Sequence, residues 1–112
     1  NNFVNKIKSE LKKIKRYNFK VVILIKYLNQ LNSNIIINFQ NKSVTSDFAR
    51  KDVHKPQLTI FIDFYKIANL MNKKYSMNFL TFHNGSITCE RKSNNLSNNE
   101  RDFWTWIYSL SF

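Results

Sequence analysis

The sequence predicts an α+β fold of two small lobes: an amino-terminal helix-helix-strand lobe over residues 1–45, and a strand-rich carboxyl-terminal lobe with short helices over residues 46–112. Three observations predict it. Apolar residues recur at helical spacing near the start, they alternate with period two after Pro56, and a polar stretch of mixed charge, 42–55, separates the two patterns. A chain of 112 residues, 43% hydrophobic and 15% aromatic, suits one domain or two small lobes sharing a core.

Phe3, Ile7, Leu11 and Ile14 form one stripe, and Lys6, Lys8, Lys12, Lys13, Lys15 and Arg16 surround it, which predicts a basic amphipathic helix. Residues 21–31 are strongly apolar and begin as strand or helix; Leu24, Leu28 and Leu31 favour helix for the later part. Ser33 and Asn34 break this segment, Ile35 to Phe39 reads as a buried strand, and Gln40-Asn41 as a turn. Leu58, Ile60, Ile62 and Phe64 share one face of a half-buried strand. Tyr65 to Met71 gives one or two helical turns, and Met77 to Phe82 another strand. His83-Asn84-Gly85 makes a turn in which Asn-Gly accepts positive φ. Thr88 is placed to cap a short helix reaching about Asn94, residues 94–99 form a loop, and the aromatic run Phe103 to Leu110 closes the chain as a strand.

Eighteen Lys and Arg against seven acids leave a formal charge of +11, which repels itself unless a polyanion lies against it. Nucleic acid and an anionic membrane surface are the usual candidates. The longest apolar run, Val21 to Ile25, is far too short to span a bilayer, and Asn and Lys residues interrupt any leader-like stretch at the start. The bias toward Asn, Lys, Ile and Phe is that of an AT-rich genome, as in many mitochondria and plastids.

Catalytic chemistry has little to build on. Asp47, Asp52, Asp63, Glu90 and Glu100 are scattered, with no D-x-D or H-x-x-H spacing to hold a metal. Cys89 is the only cysteine; it permits no internal disulfide, no closed zinc site with His54 and His83, and no marked nucleophile–base pair. No glycine-rich phosphate loop is present. The sequence therefore predicts a binding protein with no enzyme activity, no cofactor and no small-molecule substrate. Nucleic-acid binding has positive support: cations for phosphates, and a turn at Phe82-His83-Asn84-Gly85-Ser86 that gathers a ring, an imidazole, an amide and a hydroxyl.

Several stretches resemble the bacterial-type S-eight family of small-subunit ribosomal proteins. Lys55-Pro56-Gln57-Leu58-Thr59-Ile60-Phe61 is similar to the family's K-P-G-x-R-x-Y strand, and Thr81-Phe82-His83-Asn84-Gly85-Ser86-Ile87-Thr88 to its S-T-S-K-G-I-M-T motif. Asn98-Asn99-Glu100 stands where the family has G-G-E, and Val4-Asn5-Lys6-Ile7-Lys8-Ser9 where it has L-x-R-I-x-N. The only Gly and the only Pro both fall on motif positions, while Gln57 and Asn98-Asn99 replace family glycines. The resemblance implies that 21–31 is the family's second helix. It implies a structural protein of the small ribosomal subunit, with small-subunit rRNA and neighbouring ribosomal proteins as partners and no membrane insertion. Residues carried over as RNA-binding are Lys6, Lys8, Lys55, Thr81, Phe82, His83, Asn84, Gly85, Ser86 and Thr88, and the expected location is the mitochondrion. Two alternatives stay open: a basic accessory subunit of an organellar membrane complex, and a phage or plasmid nucleic-acid-binding protein.

Overall fold

The computed structural model describes residues 2–28, 30–47, 55–72, 87–93 and 95–110. It is an α+β fold in which three described helices accompany one five-stranded sheet of order β3-β2-β1-β4-β5. The elements are α1 Asn2–Leu11, β1 Lys20–Tyr27, β2 Gln30–Asn38, β3 Ser43–Asp47, β4 Leu58–Asp63, α2 Phe64–Met71, β5 Ile87–Arg91 and α3 Asn98–Ser109. Strands β1, β2 and β3 form an antiparallel meander; β4 then pairs with the free side of β1 in parallel, and β5 with β4 antiparallel. Strands from both halves of the chain thus share one sheet, and residues on either side of position 46 share one core.

β1 is the central strand. Val21, Ile23 and Ile25 enter the main core on one face, while Val22 and Leu24 join a smaller cluster on the other. A strand buried on both faces reads as a continuous apolar run and has no alternation to show, so the helix expected over the later part of 21–31 is instead the end of β1, a turn at Leu28 and the start of β2. Ser33 and Asn34 continue β2 and do not break it. Part of the polar 42–55 stretch is the edge strand β3, held by an Asn38 side chain that accepts from the backbone N–H groups of Gln40 and Asn41 at 2.9 and 3.4 Å.

α1 follows its stripe: Phe3, Ile7 and Leu11 are buried against the main face while Lys8, Lys12 and Lys13 are exposed. α2 buries Ile67 and Leu70 there, and α3 buries Phe103 and Ile107. The closing strand expected over 103–110 is therefore a helix. Phe103 and Ile107 stand four apart on one face, as do Glu100, Trp104 and Tyr108 on the next, and this period of 3.6 overrides the strand preference of aromatic residues. Ser97 starts the helix by accepting the Glu100 N–H at 3.1 Å. The short helix expected after Thr88 is strand β5, with Thr88 opposite Phe61. The strand expected over 77–82 and the turn at 83–85 lie outside the described residues.

Gln57, a departure from the glycine expected beside Pro56, ties three strands together. Its side-chain oxygen accepts from the Lys20 N–H at 2.8 Å, its own N–H donates to the Lys20 carbonyl at 3.0 Å, and its carbonyl accepts from the Lys92 N–H at 3.0 Å.

Candidate functional site

The sheet register fixes which side chains share the face turned away from the three described helices. Asn34 lies opposite Leu24, Leu24 opposite Phe61, and Phe61 opposite Thr88. The neighbouring row runs Thr45, Ile36, Val22, Thr59, Glu90. Directly paired residues project to the same side, so Val22, Leu24, Ile36 and Phe61 make an apolar floor bordered by polar groups. Val22, Leu24 and Asn34 are completely closed to solvent, and Ile36 and Thr59 are nearly so.

Asn34 is the anomaly on this floor. Neither its amide nitrogen nor its carbonyl oxygen has a hydrogen-bond partner among the described residues. An unpaired buried amide costs about 1–3 kcal/mol, a cost that a leucine at the same point of β2 would avoid. A polar atom of a bound molecule would remove it.

At the far corner of the floor a cleft of about 330 Å³ is lined by Lys55, Pro56, Thr59, Glu90, Arg91 and Lys92. Thr59 belongs to both floor and cleft. Strand spacing and rise put Asn34 and Thr59 about 12 Å apart, so an apolar surface separates a buried amide from a cation-rich opening. A second cleft of about 360 Å³, on the helix side of β5, is lined by Phe19, Gln57, Arg91 and Glu100 among others.

Arg91, like Lys92, lines both clefts. It donates from Nε and an Nη to both oxygens of the buried Glu100 carboxylate at 2.9 and 2.7 Å, and Trp104 donates its indole N–H to the same carboxylate at 2.9 Å. The bonds from Arg91 hold the Glu100 pKa below the usual carboxylate value and raise that of the guanidinium. This triad fastens α3 to the edge strand β5.

On the helix side, Tyr17 stacks on Phe39 at 4.7 Å with its hydroxyl buried and without a partner among the described residues; burial, then the Asp102 carboxylate, push its pKa well up. Cys89 is exposed, and partial desolvation raises its thiol pKa, which disfavours the reactive thiolate. Among the described residues no group of three or more His, Cys, Asp or Glu side chains lies together.

The residues expected to bind RNA are not gathered into one described surface. Lys6 pairs with Glu10 at 3.2 Å on α1, and Lys8 is exposed on the same helix, which packs against β3 and α2. Lys55 is exposed at the cleft with a φ of 44°, and Thr88 is exposed at the edge of the floor. Thr81, Phe82, His83, Asn84, Gly85 and Ser86 lie outside the described residues. Sequence reasoning missed Asn34, Thr59 and the Arg91–Glu100–Trp104 triad; the Ser97-x-x-Glu100 spacing was the available signal for the last.

The chain matches no family model and no curated relative. Solved structures share its fold. Palmitated sterol carrier protein 2 like 2 from Aedes aegypti aligns with a TM-score of 0.68 at 12% identity, over 97% of this chain and 94% of that one. The crystal structure of the same-named mosquito protein gives 0.64 at 10% identity over 92% and 90%. Sterol carrier protein-2 like-3, also from Aedes aegypti, gives 0.63 at 13% identity over 93% and 95%. The fold is thus that of sterol carrier protein-2-like domains, and this overturns the S-eight ribosomal resemblance. The segment matched to that family's second helix is two strands and a turn, and its final strand is a helix. With the resemblance fall the ribosomal role, the rRNA and ribosomal-protein partners, and the exclusion of a small-molecule ligand. The two alternatives, a membrane-complex subunit and a phage or plasmid nucleic-acid-binding protein, find no support in this fold either.

Proposed function

We propose that this protein is a carrier of a lipid-like small molecule, with an apolar body and one polar or acidic group, and that it catalyses no reaction. The observation that carries the reading is the fold shared along nearly the whole chain with a mosquito domain solved in its palmitated form. A second mosquito sterol carrier protein of the same fold was solved in complex with palmitate. The face described above supplies what such cargo needs. Its floor is apolar, and cargo held against it would gain about 25 cal/mol per Å² of its own apolar surface removed from water. The Asn34 amide offers both a donor and an acceptor without a partner among the described residues. The cleft at Lys55, Arg91 and Lys92 offers cations at the other end.

Titration of the delipidated chain with palmitate and with cholesterol, followed by native mass spectrometry, tests this. A one-to-one complex with either is expected; no uptake of either overturns the reading. Asn34→Leu removes the unpaired amide while keeping the branched outline of the side chain. It is expected to raise the unfolding free energy of the empty protein by about 1–2 kcal/mol, and to weaken ligand affinity about three- to tenfold, the worth of one hydrogen bond. Unchanged affinity in that variant would move the ligand's polar group away from Asn34.

A further inference from the structure

We propose that the protein docks on anionic phospholipid bilayers through the β1–β2 tip and the first turn of α2, with Leu28 inserted among the lipids. β1 and β4 run parallel with Lys26 opposite Asp63, so the tip after β1 and the start of α2 emerge from the same end of the sheet. Four large apolar side chains are exposed there: Tyr27 at 54%, Leu28 at 81%, Phe64 at 45% and Tyr65 at 57%. Tyr27 and Phe64 meet edge to face at 5.7 Å, which makes them one surface. Other exposed apolar side chains, Leu96 and Tyr108, lie on different elements.

Leu28 is the second observation. It has a φ of 53°, in the left-handed region that glycine or asparagine normally fills at such tips. A leucine there bears the steric strain of that region and leaves its side chain in water. Folding therefore gains nothing from this residue, and a surface that takes up the side chain explains its presence.

Charge selects the occupant. Lys66 holds its Nζ 5.0 Å from the Tyr65 ring centre, so the patch carries an ammonium group beside it, with Lys26 and Asp63 paired where β1 and β4 end. Tyrosine and lysine, each with an apolar stem and a polar end, suit the headgroup layer of a bilayer. A net charge of +11 opposes a second copy of the chain and favours an anionic lipid surface. The inference does not rest on lipid carriage, and ligand-free protein tests it.

The test is flotation of the 112-residue chain with vesicles of phosphatidylcholine, with and without phosphatidylserine. Binding is expected with phosphatidylserine and is expected to weaken as salt rises. Leu28→Asn keeps the charge and suits the backbone; it is expected to fold with an unchanged or higher melting temperature and to bind about tenfold more weakly. Tyr65→Ser, on α2, is expected to weaken binding as well. Equal binding by the parent and both variants overturns the proposal, as does failure of the parent to float. A concentration-dependent dimer abolished by Leu28→Asn, without vesicle binding, would assign the patch to a second copy and likewise overturn it. Lipid uptake by the Leu28 variant stays intact in every case where only the docking surface is at fault.

Discussion

Phe39→Ala is expected to destabilise the protein by about 3–5 kcal/mol, a large part of the margin of a chain this size. Phe39 follows β2, is fully buried, and touches rings from two parts of the chain: Tyr17 at 4.7 Å ahead of β1, and Phe103 at 5.9 Å and Trp106 at 5.4 Å on α3. Removing it leaves a cavity where α3 meets the sheet, and the surrounding rings are too large to close it without strain. Urea unfolding followed by tryptophan fluorescence measures the loss. A change below about 1 kcal/mol would mean that α3 repacks freely, and would contradict the core described here.

Glu100→Ala is expected to cost about 2–3 kcal/mol at neutral pH. Breaking a fully buried ion pair costs about 3–5 kcal/mol; the Arg91 side chain is 36% exposed and regains water, which lowers the figure. The effect depends on pH. Arg91 depresses the pKa of Glu100 in the folded state, so the unfolded chain binds the proton more readily. The contribution is therefore complete above the ordinary carboxylate value and fades as pH falls through it toward the depressed folded value. Parent and variant stability curves are expected to converge in acid. Curves that stay parallel would mean that the carboxylate is not what the site stabilises. Glu100→Gln keeps the volume and separates lost charge from lost packing.

The parts legible in the sequence are those where one periodicity dominates. The stripe Phe3, Ile7, Leu11 marks a helix lying on a core, and Leu58, Ile60, Ile62 mark a strand, because each element sends one regularly spaced apolar row into the main core. β1 is buried on both faces, so its pattern carries no phase; Leu24, Leu28 and Leu31 then stand at helical spacing only because a two-residue connection interrupts two strands. That connection is hard to see, since its tip uses Leu28 at positive φ where glycine would have announced a turn. Asn34 reads as a breaker because a polar residue inside a run of isoleucines is expected at a turn. Its burial without a partner among the described residues is a tertiary fact, and it is what makes the residue a candidate for binding. The ribosomal resemblance leaned on Pro56 and Gly85, two residues whose rarity lent them weight. At 10–13% identity the shared fold of the mosquito proteins resides in the pattern of buried positions, which motif matching does not register.

The parallel pairing of β1 with β4 also sets an order on events during synthesis. A nascent chain that has emerged only as far as Asp47 holds β1 with β2 on one side and an unoccupied backbone edge on the other, flanked by Val21 to Ile25. That edge is not closed until residues 58–63 arrive, so the apolar run of β1 waits on a distant segment. Ribosome stalling or proteolytic nicking between the two would leave a fragment that seeks another strand to complete it.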